Sequence, residues 1–488
     1  MKKPHFFDQY HWVFIITLIF IIINAVLYAN GWYYLSLLPA FIFIVFLALI
    51  SLDKLLYLTV FLVPISFPLE NYAPQLGFNI QLPTEPIIVT IFLLFFFRMI
   101  YEGRFDRAIL LHPVSLAIYA NLIWMLITSL TSSLPLVSFK FLISRMWFLV
   151  AFYFLATQLF SRRQGMQQYF WAFIPLMTVV ICMAIVHLLK FGLFNQQVAH
   201  MAASPFFNDH TSYGATLAML LPFAVVLAIN RKYSVSFRVG SWLLVAFLAF
   251  ALMLSYSRAA WVSIIVAVGV YLVMVLEIKF RTILIFVAVG GSLFYIYRTD
   301  IYLKLEQNRQ DSSKDLAKHI QSISNIRTDV SNIERLNRWK SAFRMFEERP
   351  VLGWGPGTYM FNYGHFQLFR DKTPISTNKG NGGNAHSEYI GPLAESGVLG
   401  SLTFILILVT SLYTAVKIYT KSRNHYQIRL LIMGATLGLV TYYTHATLNN
   451  FLDTDKVSAL FWGYTAMIVS LDVYHVRNQK INISEVPE

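Results

Sequence analysis

The chain contains few charged residues and almost no cysteine. Lys, Arg, Asp and Glu make up 13% of its 488 residues, whereas hydrophobic residues make up 57%. This balance excludes an ordinary soluble globular protein. Cys182 is the single cysteine, so a disulfide framework and a metal site built from thiolates are both excluded.

Motifs of several common enzyme classes are also missing. There is no GxxxxGK[ST] loop for nucleotide phosphates, no HExxH, no GxSxG and no Cys/His metal cluster. The first short loop predicted outside the membrane, Asn30 to Tyr33, has no acidic residue. Many lipid-sugar-dependent transferases with metal sites carry an aspartate in that loop, so that class is disfavoured. We therefore expect no metal and no other cofactor.

Long apolar stretches dominate the chain instead. A stretch of about 20 apolar residues spans a bilayer as a helix, because backbone polar groups must be satisfied internally in hydrocarbon. The third stretch is short and holds Pro64 and Pro68. The sequence predicts an all-α polytopic membrane protein with about 14 (12–14) transmembrane helices, at about residues 12–29, 32–50, 54–69, 85–101, 112–130, 140–160, 169–191, 211–230, 239–256, 260–277, 281–297, 391–416, 428–447 and 457–474.

The net charge of +14 follows membrane topology rather than a nucleic-acid site. With the N-terminus inside, the inside segments hold nineteen Lys and Arg residues and the short outside segments hold four, namely Lys140, Lys190, Arg258 and Lys456. The positive-inside rule then puts both termini in the cytoplasm. The expected organisation is transmembrane helices 1–11 in residues 1–297, a mostly helical extracytoplasmic loop in 298–388, helices 12–14 in 389–476 and a cytoplasmic tail in 477–488.

The loop is the only segment predicted to form a subdomain in water. Ser331 with Glu334 three residues later is a capping-box pattern. The helix that follows stops at Pro350. The Gly353–Gly357 stretch, with three glycines and a proline, predicts a tight turn. The helix carries an apolar stripe expected to lie on protein or on the lipid interface, formed by Ile333, Leu336, Trp339, Phe343 and Phe346.

Two arginines stand near predicted membrane boundaries. Arg258 ends the very short outside link Ser255–Arg258. An arginine there is costly unless it snorkels or meets an anion, so it is an interfacial anchor or an anion site. Arg145 lies about 7.5 Å inside the outer end of the sixth span. It either snorkels outward or lines a cavity that holds a phosphate.

Arg338 and His386 are the candidates within the loop. Arg338 is either a ligand-binding group or the partner of Glu334 in an ion pair, which their i,i+4 spacing favours. His386 follows a glycine-rich stretch, Gly380 to Gly383, and precedes the twelfth span. Because histidine titrates near neutral pH, it can act as a base toward a sugar hydroxyl. The alternative is a histidine that bonds to loop carbonyls.

Asp453 and Asp455 precede the last span. We predict that they lie in a solvated loop that caps this span.

These residues belong to a pattern that resembles the family of bacterial O-antigen ligases and O-antigen polymerases. The likeness covers about residues 200–450. Each motif alone is loose, but their order and topology together are fairly specific. The motifs are Pro205–His210, Ser255–Trp261, Asn337–Trp339 leading to Arg349–Gly357, and Asn384–Tyr389 followed by Leu393–Gly397.

The resemblance implies an inverting integral-membrane glycosyltransferase with a GT-C-like fold. Such enzymes move a glycan from undecaprenyl pyrophosphate to an acceptor hydroxyl at the outer face of the bacterial cytoplasmic membrane. Family arginines that engage the diphosphate match Arg258 and Arg338, and the essential loop histidine matches His386. The implied partners are the undecaprenyl-pyrophosphate-linked glycan, a glycolipid or glycan acceptor and the bilayer, without nucleic acid.

Elementary chemistry agrees with these roles. The diphosphate leaving group is already ionised, so cleavage of the C1–O bond needs charge stabilisation more than a proton. Two guanidinium groups can supply that stabilisation without a metal. His386 would act as general base toward the acceptor hydroxyl. Asn384, Tyr389 and Glu395 are further substrate-binding candidates; for Tyr389 and Glu395 the alternatives are an interface anchor and a helix-end charge.

Several functions remain open from the sequence. A ligase, which transfers to a lipid A-core glycolipid, is favoured over a polymerase, which transfers to another lipid-linked repeat unit. Transfer to a protein hydroxyl is a third variant. A glycan transporter or flippase is a rival class, disfavoured because polar residues gather at the outer face rather than at mid-depth. A non-catalytic membrane scaffold is the last alternative.

Overall fold

The computed structural model describes residues 11–32, 34–72, 80–103, 105–278, 281, 282, 292, 330–373, 376 and 383–477. The predicted eleventh span, at 281–297, lies largely outside these residues. The predicted loop before residue 330 and nearly all of the predicted tail also lie outside them. Residues Met1–Leu55 and Leu56–Glu488 form two compact units.

Helices account for nearly all of the described structure, and one two-stranded antiparallel pairing accompanies them. In chain order they are α1 His11–Ala29, α2 Leu38–Ile50, α3 Leu52–Leu62, β1 Phe67–Pro68, β2 Gln81–Leu82, α4 Thr84–Glu102, α5 Arg107–Leu110, α6 Pro113–Leu130, α7 Pro135–Leu159, α8 Arg163–Phe191, α9 Gln196–Ala199, α10 His210–Ile229, α11 Val235–Leu254, α12 Arg258–Val275, α13 Val330–Glu348, α14 Tyr359–Asn362, α15 Ile390–Lys421, α16 Tyr426–His445 and α17 Asp455–Arg477.

Ten helices in the described part of the chain are long and apolar enough to cross a membrane. They are α1, α4, α6, α7, α8, α10, α11, α12, α15 and α17. Each coincides with a predicted span, so the prediction of an all-α polytopic membrane protein is confirmed. The predicted second and third spans correspond to shorter helices, α2 and α3. The third ends at Leu62 because Pro64 follows, and a proline removes a backbone donor and disfavours helix before it.

The first unit contains α1 and α2, joined by a 3₁₀ turn at Tyr34–Leu37. The Ser36 hydroxyl donates to Asn24 Oδ1 at 3.0 Å. In the second unit the most deeply buried helices are α10, α16 and α17, which lie against one another. Their close approach depends on small residues: a Cβ at Gly438 would overlap the Tyr464 ring and the Met219 carbonyl. The outer-face residues lie at or near the ends of these central helices and of the helices packed on them.

The two aspartates before α17 do not both lie in a solvated loop. Asp455 is completely buried, so the prediction for this residue is wrong. It accepts a hydrogen bond from the Thr84 hydroxyl at 2.5 Å and lies 3.4 Å from the buried Lys456 ammonium group. Lys456 also donates to the Ser66 carbonyl at 3.0 Å. A buried charge needs such partners because desolvation alone is strongly unfavourable.

Candidate active site

The loop subdomain is built around α13. Its helix begins one residue before Ser331, whose side chain is not among those described, and ends before Pro350 as predicted. The face that packs inward mixes polar and apolar residues: Asn337, Ser341, Ala342 and Met345 are buried. Aromatic rings from the following segment, Tyr359 and Tyr363, complete this small core.

The predicted apolar stripe of α13 is not the buried face. Leu336 and Phe343 are 36% and 44% exposed. The stripe was expected to lie on protein or on the lipid interface. Within the described residues, protein covers only part of it.

The glycine-rich turn at Gly353–Gly357 joins this subdomain to the membrane helices. The Trp354 and Gly355 N–H groups donate to the Ala394 and Glu395 carbonyls at 3.1 and 2.7 Å. The predicted tight turn is therefore present. Glycine is required at Gly355, where φ is +112° and a Cβ would overlap the side chain of Ser132 at the end of α6.

Arg338 lies inside the subdomain and connects α13 to the histidine segment. Its Nε donates to Glu334 Oε1 at 3.0 Å, and its Nη1 donates to the Asn384 carbonyl at 3.0 Å. Burial acts to raise the Glu334 pKa, but hydrogen bonds from Ser376 and Thr373 and the Arg338 charge outweigh it, so the pKa lies below its usual value. Arg338 thus forms the predicted ion pair and also holds the backbone two residues before His386.

Gly383 gives the Arg338 guanidinium its space. Its φ is +100°, and a Cβ there would overlap Arg338 Nη1. We expect Gly383→Ala to displace Arg338 and to lower activity strongly. Gly103→Ala is the matched control, since Gly103 also has a positive φ of +59° but nothing lies within 4 Å of its Cβ position. Both variants should lose some stability through backbone strain. Equal activity of the two variants would show that the Arg338 position does not matter.

His386 occupies an unusual backbone conformation. Its φ is +50°, in the left-handed region that costs a non-glycine residue about 1–2 kcal/mol. The Asn384 side chain stabilises this conformation, because Asn384 Oδ1 accepts from the His386 N–H at 3.1 Å. Strain of this kind is concentrated at functional sites. Asn384, a predicted substrate-binding residue, therefore shapes the histidine turn.

The imidazole of His386 is only partly exposed and lies among charged groups. Desolvation, with the charges of Arg338 and Arg335 adding to it, lowers the pKa of His386 to about 4, although Asp209 and Glu334 oppose the shift. The ring is therefore neutral near neutral pH. A neutral imidazole can accept a proton, as a general base must.

Arg258 stands at the first position of α12, beside the start of α10. The two helices meet closely, since a Cβ at Gly214 of α10 would overlap Ser257. Asp209 caps α10 by accepting from the Thr211 N–H at 2.7 Å. Tyr256 in the link has φ +51°, a second strained residue at this edge. The start of a helix attracts anions, and an arginine there adds a full charge.

Arg335 connects these two groups of residues. Its charge acts on His386 and on His210, and Arg258 also acts on His210. The charges of Arg335 and Arg338 thus act on His386, and those of Arg335 and Arg258 act on His210. We refer to Arg258, Arg335, Arg338, His210 and His386 as the arginine–histidine cluster. The sequence interpretation missed Arg335. The available signal was spacing, because Arg335 and Arg338 are three residues apart and share one side of α13.

A polar cavity of about 260 Å³ lies on the other side of the histidine segment. Arg145, Asn384 and Glu395 line it, so the cavity alternative holds for Arg145. Its guanidinium lies 5.6 Å from the Phe141 ring centroid. Arg258, Arg338 and His386 do not line the cavity. Six of the seven predicted site residues therefore lie either in the arginine–histidine cluster or in the lining of this cavity, and Tyr389 lies in neither.

Tyr389 and Glu395 make structural contacts rather than contacts with His386. The Tyr389 hydroxyl donates to the Tyr443 carbonyl at 2.8 Å, and burial raises the pKa of Tyr389. This hydrogen bond anchors Tyr389 to α16. Glu395 Oε1 accepts from the Tyr359 N–H at 3.0 Å. Neither is placed to orient the imidazole, although Glu395 lines the cavity.

Asp453 also lines the cavity, together with Glu388. Its side chain is accessible to water from the cavity, although protein surrounds it. Desolvation, with the Glu388 charge adding to it and Arg145 opposing it, raises the pKa of Asp453 to about 6. The solvated-loop prediction thus fits the accessibility of Asp453 but missed its place in a site. Among the described residues, no three His, Cys, Asp or Glu side chains are grouped so that they could hold a metal ion.

Comparison with known proteins shows a family resemblance in the segment that carries most of the arginine–histidine cluster. Residues 242–405 match the family model described as O-antigen ligase. Arg258, Arg335, Arg338 and His386 all fall within the match. The resemblance seen in the sequence is confirmed, and the match supports a glycan-processing enzyme of the O-antigen ligase and polymerase type.

A similar protein from Haemophilus influenzae, described as uncharacterized, is 22% identical over 248 residues. The alignment covers 50% of this chain and 60% of that relative. The chain therefore spans less than two thirds of the relative that it matches.

Proposed function

We propose that this protein is an inverting glycosyltransferase that moves a glycan from undecaprenyl pyrophosphate to an acceptor hydroxyl at the outer face of the bacterial cytoplasmic membrane. The observation that carries the proposal is a neutral, strained histidine, His386, on which the charges of Arg335 and Arg338 act, within the segment that matches the O-antigen ligase family. Arg335 also acts, together with Arg258, on neighbouring His210. The large loop is then periplasmic, and both termini are cytoplasmic.

Arg258 and Arg335 bind the diphosphate of the donor. Both are partly exposed, and guanidinium groups offer paired donors to phosphate oxygens while staying charged at any working pH. The N-terminus of α12 adds its dipole beside Arg258. As the C1–O bond breaks, negative charge grows on the diphosphate, and these groups stabilise it more strongly than water would.

Arg338 has two roles in this scheme. It holds the Asn384 carbonyl and thereby positions the histidine segment, and its charge contributes to the potential at the diphosphate. His386 accepts the proton of the acceptor hydroxyl as the oxygen attacks C1 from the face opposite the diphosphate. The product has the inverted anomeric configuration, the diphosphate leaves on its lipid, and the proton remains on the imidazole until solvent removes it.

The acceptor is a lipid A-core glycolipid in the favoured variant, which makes the protein an O-antigen ligase. A polymerase or a protein O-glycosylating enzyme would use the same donor chemistry. The deciding experiment incubates the purified protein with undecaprenyl-pyrophosphate-linked glycan and each acceptor, and identifies the product by mass spectrometry. Flipping of the donor without any transferred product would instead identify a transporter.

Metal chelation is expected to leave transfer unchanged. The arginines supply the charge that a divalent cation supplies in other glycosyltransferases, so no metal enters the scheme. The measurement is the initial transfer rate before and after EDTA treatment, with Mg²⁺, Mn²⁺ or Zn²⁺ added back. A metal-dependent glycosyltransferase treated in parallel is the control. Loss of transfer that a cation restores would contradict the arginine-based scheme.

A further inference from the structure

The cavity beside the histidine segment has the charge of a carbohydrate site rather than of a phosphate site. Three carboxyl groups, those of Glu388, Glu395 and Asp453, line it with a single guanidinium, that of Arg145. Clustered carboxylates repel a diphosphate, whereas they accept hydrogen bonds from sugar hydroxyls. The arginine–histidine cluster has the opposite charge and suits the donor diphosphate.

Two lining side chains have polar atoms that no described residue satisfies. Trp462 is 2% exposed, and its indole Nε1 has no hydrogen-bond partner in the described part of the protein. The same is true of Asn450 Oδ1. Both residues line the cavity. Buried polar groups normally have partners, so an unsatisfied donor and acceptor at one cavity indicate a ligand that provides both.

The size and position of the cavity limit what that ligand is. At about 260 Å³ it is slightly smaller than the range of about 300–1,000 Å³ typical of small-molecule sites, so it holds a small group rather than a polymer. Ala385 and Ser387 line it, but the intervening His386 does not. A group in the cavity therefore lies next to the segment that carries the base without touching the imidazole.

We propose that this cavity binds a sugar residue of the acceptor glycan, next to the sugar that carries the reacting hydroxyl. Binding energy from such a non-reacting part of the substrate would orient the hydroxyl toward His386. The assignment rests on the proposed glycan transfer and adds to it the place of the acceptor.

The kinetic test uses Asp453→Asn, which keeps the size of the side chain and removes its charge. We expect KM for the acceptor to rise about tenfold, as for loss of a hydrogen bond to a charged group. KM for the donor should stay unchanged. Glu348→Gln, at an exposed position on α13, is the matched control. A rise in the donor KM, or no change in the acceptor KM, would overturn the acceptor assignment.

A labelling test does not depend on turnover. In a Cys182→Ser background the chain has no cysteine, so one can be introduced at Met360, which lines the cavity and is 36% exposed. A cysteine at neighbouring Phe361, exposed but outside the lining, is the control. The full-length protein in nanodiscs is treated with a water-soluble maleimide, alone or with one of three probes. The probes are lipid A-core glycolipid, undecaprenyl pyrophosphate without glycan, and the undecaprenyl-pyrophosphate-linked glycan.

We expect the glycolipid to slow labelling of Met360→Cys but not of Phe361→Cys, and undecaprenyl pyrophosphate to slow neither. Protection by the lipid-linked glycan alone would assign the cavity to the donor and overturn the proposal. Protection by no probe would also overturn it. If the wild-type protein transfers no glycan but the glycolipid still protects Met360→Cys, the proposed function is wrong, while binding of the glycolipid in the cavity is supported.

Discussion

Replacing His386 with alanine is expected to lower glycan transfer by a factor of about 10²–10⁴, the range that a positioned general base contributes. The imidazole is the group that removes the proton from the acceptor hydroxyl, and alanine cannot do so. The variant should stay folded and membrane-inserted, because alanine faces the same backbone strain at φ +50° as histidine does. Transfer by the purified protein and thermal unfolding in detergent measure the two effects separately.

His365→Ala is the matched control, since His365 is an exposed histidine of the same loop. It should keep normal transfer. Near-normal transfer by purified His386→Ala would mean that another group, or water, acts as the base.

The pH dependence follows from the depressed pKa of His386. Desolvation, with Arg338 and Arg335 adding to it, holds the pKa at about 4, so the base form predominates near neutral pH. The value of kcat/KM, which reports the free enzyme, should fall only as the pH decreases toward 4. The bound diphosphate brings negative charge and raises the imidazole pKa, so the acid limb of kcat should lie at higher pH. The stability of the folded protein should also fall on acidification. The pKa of an unfolded histidine is about 6.5, so the unfolded chain binds a proton more readily and a pH below about 6.5 destabilises the folded protein.

The second large effect is expected at the arginines. Arg258→Lys and Arg335→Lys should each lower kcat/KM by about 10²–10³, as removal of a donor to developing negative charge does. Lysine keeps the charge but loses the planar fork that fits two phosphate oxygens. The donor KM and the rate of a single turnover should both respond.

Arg338→Lys should affect the folded state as well as the reaction, because Arg338 is buried inside the subdomain. Loss of its hydrogen bonds to Glu334 and to the Asn384 carbonyl should lower both transfer and thermal stability. Breaking a buried ion pair by removing one partner costs about 3–5 kcal/mol, an upper bound for a substitution that keeps the charge. Arg370→Lys, at an exposed position of the same loop, is the control. Unchanged transfer in Arg258→Lys and Arg335→Lys would remove both residues from the donor site.

Local features of the site were predictable. The turn at Gly353–Gly357 follows from glycine and proline content, and the end of α13 at Glu348 follows from Pro350. His386 was identifiable because it is a histidine that follows a glycine-rich stretch and precedes a predicted membrane span. Each of these signals lies within one short segment of the chain.

Contacts between distant segments were not predictable. The participation of Arg335 beside Arg338 depends on which side of α13 is turned toward the histidines. The predicted apolar stripe gave no guide, because the buried side instead holds Asn337, Ser341, Ala342 and Met345. Residues of five helices, α6, α7, α14, α15 and α17, and of three loop segments come together to form the cavity that Arg145 and Asp453 share. The burial of Asp455 depends on Thr84, which lies 371 residues away along the chain.

The sequence by itself determined the membrane helices, the polar loop and the residue types available for chemistry. It could do so because a span requires only an unbroken apolar stretch, whose backbone satisfies its own hydrogen bonds in lipid. Only the tertiary structure decided which arginines surround His386 and which carboxyl groups form a separate cavity. Both depend on side-chain directions and on long-range packing, which local composition does not encode.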